Sequence, residues 1–486
     1  MQLSNEYLTQ HSSSLVNSGV GTPKYDREKL NIGIVHLGLG AFHRSHQAVF
    51  TDAVLNKTGD LSWGICAVAF SNEELKNHIN RQDGLYTNVI CGKEQNFQII
   101  GSIKQALVAS KQMTEVLATL ALPSVKLVSL TVTEKGYCLN EAGTLDTKVA
   151  NVQHDIQNIS SPKTAIGILV AGLLGRFEKG QSAFNVIACD NLPHNGDKLK
   201  KATVALAREI SPDLANWIEA NAKFPNTMVD CITPKTEDAT VSAVEQKLSY
   251  TDSVPVQREP FAQWVIEDIK GMPRPAWEQA GVLFTNDVAG FEKTKLRILN
   301  GTHSALAYIG SLLNIDTVYN AINNRKVRAF ITELLEQEII PSIEAPAGLD
   351  LHDYATAIIE RYDNPSIRHL LIQIAADGSL KIPVRTLEPI KENLAANRPI
   401  AHLSIVVAAW IRFVVSRVEQ QADIADPKQQ SICALVARFS GDIAQDVKAF
   451  LQIDGIVEKE LLANPQFVDS VVRAYRELDG FLSSLA

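Results

Sequence analysis

A short stretch, residues 292–304 (EKTKLRILNGTHS), gathers the side chains best suited to chemistry. Wound as an α-helix at about 100° per residue, it sets Asn300 roughly 140° round from Lys295, with His303 between them at roughly 80°. One helix face thus presents an amine, an amide and an imidazole over a rise of roughly 12 Å. Leu296, Ile298 and Leu299 surround that face, and residues 305–309 (ALAYI) follow it. A helix this apolar belongs inside a protein, where polar groups are costly unless paired or used. Read alone, the stretch modestly favours a buried helix whose Lys snorkels outward and whose Asn and His satisfy backbone groups. Arg297 projects about 200° from Lys295, away from that face.

The elements that must position such a face begin at residues 32–37 (IGIVHL), a β-rich apolar run that ends at Gly38-Leu39-Gly40. Residues 41–48 read as the first turns of a helix. Strand, glycine turn and helix start make the opening of a dinucleotide-binding βαβ unit. Gly38 permits the tight turn, and Gly40 lets a pyrophosphate approach the N–H groups of the helix start. His43 holds the place of the usual third glycine, and an ordinary turn remains the alternative. Residues 62–70 form a second strand. The Asp or Glu that would hold a ribose hydroxyl is missing from its end, where Phe70, Ser71 and Asn72 stand and Glu73 and Glu74 come late. This leaves NAD versus NADP open.

Residues 86–90 and 96–100 read as a hairpin. Residues 125–133 are a strand with a polar end, and 164–179 a helix. Residues 184–190 are a strand closing at Asp190-Asn191, which also fits a turn and helix cap. Residues 195–210 are a helix, and 228–234 (MVDCITP) a short strand carrying Asp230. From about residue 289 helical periodicity takes over, at 293–313, 326–340, 355–361, 400–418, 430–439, 443–452 and 467–478. The Pro- and Gly-bearing segments 341–348 and 377–383 read as loops. The expectation is an α/β protein: a Rossmann-type domain with an inserted β-hairpin at 1–288, and a mostly α-helical domain at 289–486.

Composition bounds the partners. The 486 residues are 45% hydrophobic and 21% charged, which fits a soluble globular protein of two or three domains. A net charge of −8 with no basic run argues against nucleic acid. Residues 1–29 are polar, without a secretory core, and the apolar runs 164–175 and 403–415 are too short to cross a bilayer. The six cysteines are scattered, with no metal-ligand spacing. A cytoplasmic protein with a small-molecule substrate is expected, with no membrane or nucleic-acid partner, as a monomer or small homo-oligomer.

Five blocks, at 34–47 (IVHLGLGAFHRSHQ), 129–137 (SLTVTEKGY), 228–234 (MVDCITP), 261–268 (FAQWVIED) and 295–304 (KLRILNGTHS), resemble the polyol-specific long-chain dehydrogenase/reductase family, in its order. The resemblance covers nearly the whole chain. It implies metal-independent hydride transfer with NAD, using Lys295, Asn300, His303 and Asn191 as catalytic residues. It further implies cofactor contacts at Gly38, Gly40, Phe42, His43, Arg44, Thr133 and Asp230. Asn300-Gly301-Thr302-His303, where mannitol enzymes more often have Asn-Ala-Gly-His, and Gln373, where they tend to carry Arg, lean toward the branch that interconverts D-fructuronate and D-mannonate. A mannitol 2-dehydrogenase or arabinitol-type enzyme is the alternative. Cys231 departs from the family's usual Arg.

In such an enzyme a lysine serves as acid–base group if its neighbours lower its pKa. Asn191 and Asn300 donate N–H to the developing alkoxide, and His303 orients a hydroxyl. A uronate also needs a cation for its carboxylate, for which Lys381 and Arg385 are the candidates. Helix capping or pairing with Glu388 is the plainer use of both.

Overall fold

The computed structural model describes residues 1–140 and 142–486 and divides the chain into two compact units, Met1–Ala289 and Gly290–Ala486. The first unit holds eleven strands among its described residues: β1 (Ile32–Leu37), β2 (Gly64–Ala69), β3 (Tyr86–Cys91), β4 (Gln95–Ile100), β5 (Ile103–Val108), β6 (Leu127–Leu130), β7 (Asn185–Ala188), β8 (Thr227–Asp230), β9 (Val256–Arg258), β10 (Gln263–Glu267) and β11 (Leu283–Thr285). Five of them form a parallel sheet in the order β5-β2-β1-β6-β7. Its strands read as continuous apolar runs because both faces are covered. Val35, Leu37, Val128 and Leu130 pack into one core and Ile34, Leu127 and Ile187 into another.

The chain runs outward from β1 to β2 and β5, then returns to lay β6 and β7 on the other side. The order therefore reverses between β1 and β6, and the carboxyl ends of those strands are where such sheets bind ligands. Strand β1 has the expected bounds, whereas β5, the edge of this sheet, was not anticipated from sequence. Its apolar residues Ile103, Ala106, Leu107 and Val108 do not alternate. The hairpin β3–β4 pairs antiparallel from Tyr86↔Ile100 to Cys91↔Gln95 and takes β9 as a third strand. The polar N-terminus also contains a helix, Asn5–Asn17, capped by the Ser4 side chain on the Tyr7 N–H.

The second unit is helical, around Thr302–Leu312, Ala401–Glu419 and Pro465–Leu485. The apolar run at 403–415 extends to a helix of 19 residues, which is long and apolar enough to cross a membrane. This corrects the reading of it as too short. Leu403, Val407, Trp410, Ile411 and Val414 bury it in the core of this unit. A second correction concerns the expected loop at 377–383. It is helical as Gly378–Ile382, continued by Pro383–Leu387 and Glu388–Ala395.

Three stretches here widen into π-helix: Lys295–Gly301, Leu335–Ile339 and Pro383–Leu387. In the last, Pro383 has no N–H to give, and the Glu388 N–H bonds the Pro383 carbonyl five residues back.

Candidate active site

In the first unit the turn after β1 is shaped by close approach. Gly38 has φ +120°, and a Cβ there would lie 2.3 Å from the Thr131 carbonyl oxygen at the end of β6. Only glycine fits. Gly40 differs: a Cβ on it would meet nothing nearer than the Gly38 oxygen, at 3.8 Å. It opens the helix Ala41–Ser45 without a side-chain cap. Among the described residues, the Ala41 and Phe42 N–H groups meet no acceptor. An open cradle with unpaired N–H donors at a helix start suits a phosphate.

His36 stitches the two central strands together, with Nδ1 2.8 Å from Ser129 Oγ and Nε2 3.1 Å from Thr131 Oγ1. Burial depresses its pKa to about 3. His43 lies stacked on it, centroids 3.4 Å apart and fully buried, and among the described residues neither ring nitrogen is within hydrogen-bonding geometry of a partner. Burial, and then His36 and Arg44, hold His43 well below the usual imidazole range. Phe42 is half-buried and stacks on His46 at 5.0 Å. Arg44 turns into its own unit, donating to the Val254 carbonyl with its guanidinium 5.4 Å from the centre of the Tyr86 ring.

The loop after β6 is held by a residue that the sequence offered as a strand end or as a turn and helix cap. Asp190, buried at the end of β7, accepts the N–H groups of Val132 and Thr133 at 2.8 Å each and the Tyr137 hydroxyl at 3.1 Å. Burial raises its pKa, while those donors oppose the rise. Thr133 is exposed and held at φ +63°. Asn191 follows, exposed at the carboxyl end of the sheet. Asn195 grips the Asp190 carbonyl and both the N–H and carbonyl of Thr227, tying β7 to β8. Asp230 is buried at the end of β8, in register with Gln263 of β10. Its neighbour Cys231 is a thiol pushed up to about 11 by burial. At the end of β2, Asn72 caps the next helix and Glu73 pairs with Lys111.

In the second unit Lys295 and Asn300 sit on the first π-helical stretch. With i→i+5 bonding the winding falls to roughly 80–85° per residue, so Asn300 comes to roughly 50° from Lys295 instead of 140°. The α-helical wheel drawn from sequence is corrected accordingly: the two lie nearly one above the other. Lys295 is 7% exposed and Asn300 half-buried.

Side chains lock the widened turn. The Tyr362 hydroxyl donates to the Leu299 carbonyl at 2.8 Å and meets Thr302 Oγ1 at 2.7 Å, while Thr302 donates to the Ile298 carbonyl. Arg297, fully inside, forks onto Glu392 at 2.7 and 2.8 Å and donates to the Ser342 carbonyl at 2.6 Å. Lys293 adds a third bond to Glu392 at 2.9 Å. Arg297 and Lys293 hold the Glu392 carboxyl at about 2.

His303 is buried beside the Tyr362 ring (4.7 Å) and the His369 ring (5.1 Å), and its Nε2 has no hydrogen-bond partner among the described residues. Burial, and then the charges of His369, Arg361, Arg385 and Lys381, hold it well below the usual imidazole range. It is therefore neutral at neutral pH.

That charge cluster includes both predicted cations. Lys381 donates to the carbonyls of Ile374 (3.2 Å) and Ala376 (2.6 Å), capping the helix Leu371–Ala375. Capping is thus part of its role, and one of its three donors remains. Arg385 bonds the Ser304 hydroxyl at 3.1 Å and the Asn300 carbonyl at 3.4 Å; Glu388 pairs instead with Lys391. Among the described residues no carboxylate forms an ion pair with Lys381 or Arg385. Gln373 is exposed on the short helix. Arg361, His369 and Tyr362, to which the sequence reading gave no site role, come from a segment some sixty residues on, and nothing in their local pattern marks them.

Two family models match the chain: the mannitol dehydrogenase Rossmann domain over residues 32–279 and the mannitol dehydrogenase C-terminal domain over residues 287–479. D-mannonate oxidoreductase of Escherichia coli is 42% identical over 95% of this chain and 96% of its own. The solved mannitol 2-dehydrogenase of Pseudomonas fluorescens, a ternary complex with NAD and D-mannitol, is 35% identical with a TM-score of 0.82, covering 100% of this chain and 98% of its own. A substrate-free D-sorbitol dehydrogenase is 28% identical with a TM-score of 0.89, over 100% of both chains.

Proposed function

The chain belongs to the mannitol dehydrogenase family, and from that premise we propose that it is an NAD-dependent oxidoreductase interconverting D-fructuronate and D-mannonate. The observation that carries the substrate is the pair Lys381 and Arg385, two half-buried cations that form no ion pair among the described residues and press on a neutral His303. Asp377 and Asp426 favour the Lys381 charge without pairing with it, and partly buried cations with no paired acid favour an anionic ligand. The 42% identity to D-mannonate oxidoreductase supports the same reading.

Gly38, Gly40 and the Ala41 and Phe42 N–H groups would hold the cofactor's phosphates, with Thr133 and Asp230 further along it. When bound, the nicotinamide supplies the hydride for reduction of the ketone, or accepts it in the reverse direction. Lys295 holds a proton as ammonium and gives it to the carbonyl oxygen; in oxidation its free amine takes the hydroxyl proton. Asn300 donates N–H to that oxygen as it becomes an alkoxide, a task the family resemblance also gives Asn191. His303, neutral, orients a substrate hydroxyl through Nε2.

Nicotinamide absorbance with D-fructuronate, D-fructose and a panel of polyols tests the reading. Fructuronate reduction is expected to dominate, with NADH preferred to NADPH, and Lys381→Met to harm fructuronate far more than fructose. Stronger activity on fructose would favour the second reading, a mannitol 2-dehydrogenase, which the 35% identity to the Pseudomonas enzyme supports.

A further inference from the structure

Gly301 stands between Asn300 and Thr302 at φ −64°, ψ −48°, a conformation open to every L-residue. Backbone freedom is thus no reason for glycine here, and in a helix interior glycine costs about 1 kcal/mol relative to alanine. The reason lies in its surroundings. A Cβ on Gly301 would come 3.3 Å from the Arg385 carbonyl oxygen and 3.8 Å from Ile339 Cδ1. All three π-helical stretches therefore meet at this one residue: its own, Leu335–Ile339 through Ile339, and Pro383–Leu387 through Arg385.

The contact is to the backbone of the same residue whose guanidinium reaches Ser304 Oγ and the Asn300 carbonyl. Of five N–H donors on that guanidinium, most remain for a ligand. We infer that Gly301 is a specificity-determining position: its missing side chain seats the Pro383–Leu387 turn against the Lys295–Gly301 turn and so sets Arg385 to receive the anionic group of the substrate. An alanine would push that backbone back by a few tenths of an ångström, enough to weaken a fixed charged contact while leaving the proton-transfer groups in place. The inference rests on the carboxylate-substrate reading given above.

The experiment compares the full-length wild type with Gly301→Ala, Ser304→Ala, Arg385→Ala and the double variant Gly301→Ala/Arg385→Ala, each checked for folding by circular dichroism and thermal melting. KM and kcat are measured with D-fructuronate and D-fructose at saturating NADH. Gly301→Ala is expected to raise KM for fructuronate by roughly 5–20-fold, with kcat and the fructose parameters within about 2-fold, because a small misplacement costs binding steeply. Ser304→Ala, which frees the same guanidinium without crowding it, should move selectivity the same way. In the Arg385→Ala background the Gly301 change should add nothing, since both act through one group.

Equal losses on both substrates, or additive losses in the double variant, would overturn the inference while leaving the substrate reading intact. Unchanged selectivity in Ser304→Ala would overturn it even if Gly301→Ala did not fold. A wild type that prefers fructose would remove the substrate reading and this inference with it.

Discussion

The turn at Gly38–Gly40 and the turn at Lys295–Gly301 both depart from regular backbone, and they are held by opposite means. The first is held by absence. Its conformation at Gly38 and the 2.3 Å approach to the Thr131 carbonyl leave no room for a side chain, and strands on either side fix the rest. The second is held by presence: Arg297 on Glu392 and Ser342, with Thr302 and Tyr362 on the widened backbone. A cradle for a phosphate needs only N–H groups and space, which glycines supply locally. A turn that must align an amine with an amide needs rigid side-chain support brought from elsewhere in the chain.

Removing the chemistry from the second turn should have the largest effect. Lys295→Ala should melt like the wild type yet lose roughly 10²–10⁴-fold in turnover. Asn300→Ala should lose about 10²–10³-fold with little change in cofactor affinity. Near-wild-type rates in either folded variant would remove that residue from the mechanism.

The first turn offers a contrast within itself. Gly38→Ala should cost about 3 kcal/mol of stability or more, from the strained φ and the overlap with a strand carbonyl. Gly40→Val should leave the melting temperature alone and weaken NADH binding, read by fluorescence titration. Equal effects of the two on stability would show that Gly40, too, is there for packing.

Arg297→Met tests whether side chains hold the second turn. It strips a fully buried guanidinium from Glu392, which is 35% exposed on its side chain, so the loss should be about 2–3 kcal/mol by urea denaturation, below that of a wholly buried pair. Turnover should fall with it, because Lys295 and Asn300 lose their register. A stable variant of full activity would place the lock in Thr302 and Tyr362 alone.

The smallest effect is in pH. Folding lowers the Glu392 carboxyl from 4.5 to about 2. Its contribution is therefore complete above pH 4.5 and lost as the pH falls toward 2. Wild type minus Glu392→Gln, measured by urea denaturation, should shrink across that window; a constant difference would mean that the charge is not what stabilises the pair.

The sequence alone determined what depends on neighbours in the chain. Residues 32–37 followed by Gly38 and Gly40 could be read as strand and turn because apolar continuity and glycine geometry are local. The helices of the second unit could be read from their periodicity, and residues 295–304 identified as the chemical face from their composition. The bounds were clearest where one pattern persisted, as in β1, and poorest where it lapsed, as in β5 and in the run from Gly378 onward.

Tertiary structure decided the rest. No local signal distinguishes 3.6 residues per turn from a π-helical turn, since that choice is made by groups such as Arg297 on Glu392 and Tyr362 on Leu299. The α-helical wheel put Lys295 and Asn300 on one face but spread them too widely, at roughly 140°, for this reason. Asp190 reads from sequence as a strand end or helix cap, whereas in the fold its carboxylate gathers the loop after β6. The cations around His303 likewise come from Arg361, Lys381 and Arg385, distant in sequence and joined only by packing. Local energetics chooses helix, strand and turn. Charge, register and the exact winding of a helix depend on which distant side chains arrive beside it, and those contacts exist only in the folded chain.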